Sequence, residues 1–110
     1  MYCTSLTSIN LSGLTQVQTI GSHFLSECNN LISINLSGLT QVHTIGCYFL
    51  SKCKNLTSID LTPLTQIQTI NSHFLYNCVS LMSIKCTKNQ MLVIKNALYE
   101  YNHNNILQII

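Results

Sequence analysis

Charge is scarce in this chain: among 110 residues there are five Lys, three acidic residues and no Arg, so 7% are charged, against roughly 25% in ordinary soluble domains. Without arginines to grip phosphates in bidentate fashion, and with a net charge of only +2, the electrostatic footprint of a nucleic-acid binder is missing. No apolar run is more than a few residues long, which excludes a membrane-spanning helix. The opening Met1-Tyr2-Cys3-Thr4-Ser5 has neither a basic n-region nor an apolar h-region, so a chain complete as it stands is expected in the cytoplasm. What is abundant is apolar and neutral-polar material. Hydrophobic residues make up 46% and mean hydropathy is +0.28, enough for a core in one domain of this length. Ser, Thr, Asn and Gln must then supply solubility.

Laying the chain over itself with Cys3 on Cys28 organises it, because residues 3–27 and 28–52 agree at 18 of 25 positions. Residues 53–77 keep the same apolar frame, C-x-x-L-x-x-I-x-L-x-x-L-x-x-[VI]-x-x-I-x-x-x-F-L. In the second coil the frame reads Cys28, Leu31, Ile34, Leu36, Leu39, Val42, Ile45, Phe49 and Leu50. Apolar positions held constant while their neighbours vary are what stacked coils need when each buries its inner face on the next. The fold expected is an α/β repeat solenoid with coils at 3–27, 28–52, 53–77 and a partial one at 78–86.

Within a coil, the β-favouring stretch from Ser8 to Leu11 predicts a short strand, and Gln16 to Ile20 a second extended arm. Gly13 and Gly38 give way to Pro63, whose ring confines φ to negative values, so that corner does not need positive φ. Gly21 and Gly46 give way to Asn71, the usual non-glycine tenant of the left-handed region, so this second corner is expected to adopt it. The arm that follows, Ser22 to Cys28, predicts about two helical turns with Ser22 and Ser72 as N-caps and Phe24, Leu25 and Cys28 facing inward.

The frame positions after Cys86 are Asn89, Leu92, Lys95, Tyr99 and Glu100, so the fourth coil is expected to end after its first strand. Thr87-Lys88-Asn89-Gln90 has the form of a capping box. Met91, Leu92, Ile94, Ala97, Leu98 and Tyr101 follow at helical spacing, predicting a helix from about Lys88 to Asn102 over the C-terminal end of the core. The chain thus divides into a solenoid at 1–86 and a capping helix and tail at 87–110. No comparable cap precedes Cys3, so the chain is expected either to be part of a longer array or to self-associate through that N-terminal edge.

The phrase C-x-x-L-x-x-I-x-L, followed by x-x-[VI]-x-T-I-[GN]-x-x-F-L-x-x-C, resembles the BspA-type leucine-rich repeat over residues 3–86, and Cys53-Lys-Asn-Leu-Thr-Ser-Ile-Asp-Leu61 nearly spells the family's first phrase. The chain departs from the family in using Phe-Leu at 24–25, 49–50 and 74–75 where Ala-Phe is common, and in a slightly longer coil. The resemblance implies a right-handed solenoid of short parallel strands, a role in adhesion or protein recognition, no catalytic residues, and surface or secreted placement within a longer protein.

The chemistry-bearing residues read mostly as architecture. Cys3, Cys28, Cys53 and Cys78 are one frame position repeated, so they are expected as a buried, reduced thiol column rather than a disulfide framework. Cys86 falls in the column of Leu11. Cys47 stands where Ser22 and Ser72 stand, at an expected helix N-terminus that would lower its pKa. His23, Cys47 and His73 are the best zinc candidates, but two coils separate the histidines and Tyr48 occupies their column between them, so no metal site closes. His43 and His103 lie elsewhere. No carboxylate column accompanies any His-Cys pair, so neither an enzyme nor a cofactor is expected. The sequons at Asn10, Asn35 and Asn55 arise readily in so polar a composition and are expected to be unused without a signal peptide.

The expected function is therefore recognition of a protein ligand through the outward side chains of the first strand: Ser8, Asn10, Ser33, Asn35, Ser58 and Asp60. A structural spacer is the alternative. An ice-binding array built on Thr15, Thr19 and their repeats is a third reading, weakened because those residues are four apart rather than alternate on one strand.

Overall fold

The structure, a computed structural model, describes residues 5–98 and 106–110. Each coil contributes a three-residue strand and a two-residue strand: β1 (Ser8–Asn10) and β2 (Thr19–Ile20), β3 (Ser33–Asn35) and β4 (Thr44–Ile45), β5 (Ser58–Asp60) and β6 (Thr69–Ile70). β7 (Ser83–Cys86) opens the fourth coil, a 3-10 turn covers Lys88–Gln90, α1 spans Met91–Leu98, and β8 is Leu107–Ile109. All pairings are parallel and in frame, with Ile9 opposite Ile34 and Thr19, Thr44 and Thr69 side by side. The chain is a solenoid of short parallel strands with a short C-terminal helix.

The repeated frame is the core. In the second coil Cys28, Leu31, Val42, Phe49 and Leu50 are completely buried, and only Ile34 of the nine positions retains partial exposure. Phe49 stacks between Phe24 and Phe74 at ring separations of 6.1 and 6.0 Å. A buried polar pair, Ser26 and Ser51, joins Oγ to Oγ at 2.8 Å across the first two coils. Cys53 and Cys78 are buried thiols that donate to the carbonyl oxygens of Leu25 and Leu50, one coil back, at 3.2 and 3.0 Å. The neighbouring Cys78 sulfur and burial push the Cys53 thiol far above the usual cysteine range. Cys86 is likewise buried in the column of Leu11, whereas Cys3 lies outside the described residues.

The third arm is not helical. Residues 22–27 run as successive turns, and every second residue takes positive φ: His23, Leu25 and Glu27 at 67°, 58° and 60°, with the same alternation at Tyr48, Leu50, Lys52 and at His73, Leu75, Asn77. The alternation turns backbone N–H groups along the stacking direction. His23 donates to the carbonyl of Cys47, Tyr48 to Ser72, Glu27 to Ser51 and Leu75 to Phe49. A helix would close those bonds within one coil, so Ser22 and Ser72 cap nothing. Left-handed backbone on a non-glycine residue costs about 1–2 kcal/mol, which the inter-coil bonds offset. Phe24 is half-buried, and Leu25 and Cys28 are buried as expected.

The corner glycines also have another purpose. No described glycine has positive φ, which corrects the expectation for Gly21, Gly46 and Asn71. A Cβ on Gly46 would lie 2.6 Å from the Ser22 nitrogen, and one on Gly38 would lie 2.2 Å from the Ser12 carbonyl oxygen. These residues are glycine because the preceding coil leaves no space. Asn71 instead uses its side chain, its Nδ2 donating to Ile45 O at 3.1 Å. Pro63 stands at the corner where the first two coils have Gly13 and Gly38. The first-arm strands pair as β1-β3 and β5-β7-β8, while β2-β4-β6 is continuous.

At the C-terminal end the cap begins as a 3-10 turn, with Thr87 N–H donating to Gln90 Oε1 at 2.9 Å. α1 then buries Ile94 and Leu98. The expected continuation to Asn102, with Tyr101, and His103 beyond it fall outside the described residues. The tail does not hang free. β8 pairs with β7, placing Leu107 opposite Ile84 and Ile109 opposite Cys86. Leu107-Gln108-Ile109 thus sets two apolar residues in the columns of Ile84 and Cys86, at a spacing slightly shorter than the repeat, and the frame resumes where the sequence reading ends it.

Candidate recognition surface

The first-strand face displays the six candidate residues, all exposed. Register puts Ser8 beside Ser33 and Asn10 beside Asn35. Ser58 and Asp60 belong to the other sheet, beside Ser83 and Lys85. The six therefore form two groups divided at the β3/β5 boundary rather than one continuous ladder.

The outer column also has a local duty. Oδ1 of Asn10 accepts the Ser12 N–H, Oδ1 of Asn35 the Ser37 N–H, and Oδ1 of Asp60 the Thr62 N–H, each at 2.9 Å. Asp60 Oδ1 also accepts the Thr62 hydroxyl at 2.6 Å. These are Asx turns that start the corner after each strand. Ser8, Ser33 and Ser58 flank that column on the same face.

A second feature is ring stacking in the His23–Tyr48–His73 column, which the sequence reading weighs only as a metal site. The rings of His23 and Tyr48 stack at 4.8 Å and 11°, those of Tyr48 and His73 at 4.3 Å and 12°, and Tyr76 meets His73 edge-on at 5.2 Å. Tyr48 fills the space between the two histidines, and each such contact contributes about 0.5–1.5 kcal/mol. The signal for it is an aromatic ring at the same position of each coil, His23, Tyr48 and His73.

Beside this stack, the Cys47 thiol lies below the ordinary cysteine range chiefly because the Ser72 hydroxyl donates to its sulfur at 3.5 Å. The direction matches the sequence expectation, while the cause is a hydroxyl from the next coil and not a helix terminus. On the second arm Gln18, Gln41, His43 and Gln66 line a shallow polar groove, with His43 Nδ1 2.9 Å from Thr44 Oγ1.

The family description "BspA type Leucine rich repeat region (6 copies)" matches residues 1–106. The chain belongs to the BspA-type leucine-rich repeat family. No curated protein and no solved structure matches it. Among the described residues, no helix of this BspA-type repeat is long and apolar enough to cross a membrane.

Proposed function

We propose that this BspA-type repeat is a non-catalytic recognition or adhesion module, with residues 1–86 as the recognition solenoid and 87–110 as its cap. The observation that carries the reading is the in-register display of Ser8, Asn10, Ser33 and Asn35, continued by Ser58 and Asp60, on strands whose opposite faces are packed into the core. A surface fixed by buried frame residues and closed by Asx turns meets a partner with little ordering cost. Its neutral hydroxyl and amide chemistry suits a polar protein surface rather than a phosphate backbone. A spacer would need the same core but no displayed face. The ice reading loses support because Thr15, Thr40 and Thr65 lie outside the strands, leaving Thr19, Thr44 and Thr69 as a single column.

The test is capture of partners from an extract of the source cells by wild type, by Ser33→Lys/Ser58→Lys and by Gln41→Lys/Gln66→Lys. The serine positions are chosen because they leave the Asx turns intact. Loss of a partner in the serine variant alone supports the reading. Loss in the glutamine variant alone moves the surface to the second arm, and no partner in any sample favours the spacer.

A further inference from the structure

The groove on the second arm holds polar side chains that the fold does not use. It is an open hollow of about 400 Å³ lined by Gln18, Gln41, His43 and Gln66, a size within the range of small-molecule sites. Gln18 and His43 share one column of the repeat, and Gln41 and Gln66 share the neighbouring one. The backbone under them is fixed. His43 N–H donates to Gln18 O and Gln68 N–H to His43 O, both at 2.9 Å, while Val42, between Gln41 and His43, is completely buried. Asn10, Asn35, Asn71 and Gln90 each commit the side-chain amide to the chain's own backbone. Among the described residues, the amides of Gln18, Gln41 and Gln66 have no such partner. His43 is half-buried, and its contact of Nδ1 with Thr44 Oγ1 at 2.9 Å leaves Nε2 as its remaining polar atom. The second-arm segments 12–22, 37–47 and 62–72 contain no Lys, Arg, Asp or Glu, so the groove is neutral on every coil it crosses.

We propose that this groove binds a neutral, extended β-1,4-linked oligosaccharide, laid along the stacking direction with successive sugar rings over successive coils. A glutamine amide carries donors and an acceptor on one side chain, and each sugar hydroxyl likewise donates and accepts, so the two can pair in either sense without bringing a charge out of water. A charged ligand finds no counter-ion among the lining residues. An extended peptide finds no strand edge to join at the centre of the groove, because β4 is already paired with β2 and β6 on its two sides. Parallel coils repeat about every 4.8 Å, close to the advance of one ring in an extended β-1,4 chain, so the same contact can recur from coil to coil. Each hydroxyl–amide bond replaces bonds to water and contributes little alone, and affinity therefore depends on spanning the coils that supply Gln18, Gln41 with His43, and Gln66. The groove lies on a different arm from the first-strand face, and the proposal stands whether or not that face binds a protein.

The experiment is a titration of the full, isotope-labelled chain with cellotetraose, chitotetraose and maltotetraose, followed by nuclear magnetic resonance of the side-chain amides. Wild type, Gln41→Ala/Gln66→Ala and Ser33→Lys/Ser58→Lys are compared. In wild type, cellotetraose or chitotetraose is expected to give saturable shifts at the side chains of Gln18, Gln41 and Gln66. Maltotetraose, which curls instead of extending, is expected to bind at least about tenfold more weakly. The glutamine variant is expected to lose about tenfold in affinity, as removal of two neutral hydrogen bonds implies, and the serine variant to bind as wild type does. The proposal is overturned if neither β-1,4 tetrasaccharide shifts these amides, if maltotetraose binds equally well, or if the glutamine variant binds as wild type does. Loss in the serine variant alone also overturns it, by placing the sugar on the first-strand face. Should the glutamine variant not fold, the wild-type shifts decide: saturable shifts confined to the groove support the proposal, and shifts elsewhere overturn it.

Discussion

The side-chain nitrogen of Gln90 donates to the carbonyl oxygen of Leu61 at 2.8 Å, tying the first turn of the cap to the corner of the third coil. The same Nε2 reaches Leu64 O at 3.0 Å and Thr62 O at 3.3 Å, and the residue is only 3% exposed. Gln90→Leu keeps the volume but leaves these buried carbonyls and the Thr87 N–H without that partner. A loss of about 1–3 kcal/mol is expected in denaturant titration; an unchanged midpoint would show that water replaces the amide.

Two glycines at equivalent positions should respond differently to the same change. Gly38→Ala sets a Cβ against the Ser12 carbonyl and should cost about 1–3 kcal/mol by forcing the first two coils apart. At Gly13 nothing lies within 4 Å of the added carbon, so Gly13→Ala should stay within about 0.5 kcal/mol. The division between β3 and β5 has its own signature in hydrogen exchange. Leu11 and Leu61 amides donate to Asn35 O and Lys85 O, whereas the Leu36 amide faces the divided β3/β5 boundary and should exchange faster than either.

Lys52 carries a φ of 59° on a partly exposed residue. Lys52→Gly should therefore raise stability by about 0.5–1 kcal/mol, the left-handed cost less the added entropy of glycine. Lys52→Ala, equally strained, should give no such gain. Equal melting temperatures for the two variants would refute this account.

Phe49→Ala removes a fully buried ring from between Phe24 and Phe74 and should cost about 3–5 kcal/mol, enough to threaten folding. Phe24→Ala, at the half-buried end of the stack, should cost less. Chemical denaturation of the two variants gives the comparison.

Alkylation of the native protein should modify Cys47 and spare Cys53, Cys78 and Cys86 until denaturant is added, as peptide mapping by mass spectrometry would show. A lowered pKa places more Cys47 in the thiolate form at a given pH, so its alkylation should rise at lower pH than that of an ordinary cysteine. The Ser72 hydroxyl is the largest contributor to that shift, and Ser72→Ala should move the profile back toward higher pH. A profile unmoved by this substitution would rule the hydroxyl out as the cause.

The amino-acid sequence by itself determined the repeat, the inward set and the strand register, because burial at a fixed period writes itself into composition position by position. Cys28, Leu31, Leu36 and Phe49 are apolar whatever the backbone between them does. The sequence likewise carried the serine and amide columns of the first strand, since alternation along a strand puts Ser33 and Asn35 opposite Ile34. Only the tertiary structure decided the path of the third arm. Its local pattern fits a helix, but hydrogen bonds to the coils above and below, such as His23 N–H to Cys47 O, favour alternating left-handed residues that no single coil would adopt. It also decided that Gly38 answers to the Ser12 carbonyl, that the candidate face is divided between β3 and β5, and that Leu107-Gln108-Ile109 rejoins the sheet. Each depends on the distance between segments a full coil apart in the chain, a quantity that exists only once the coils are stacked.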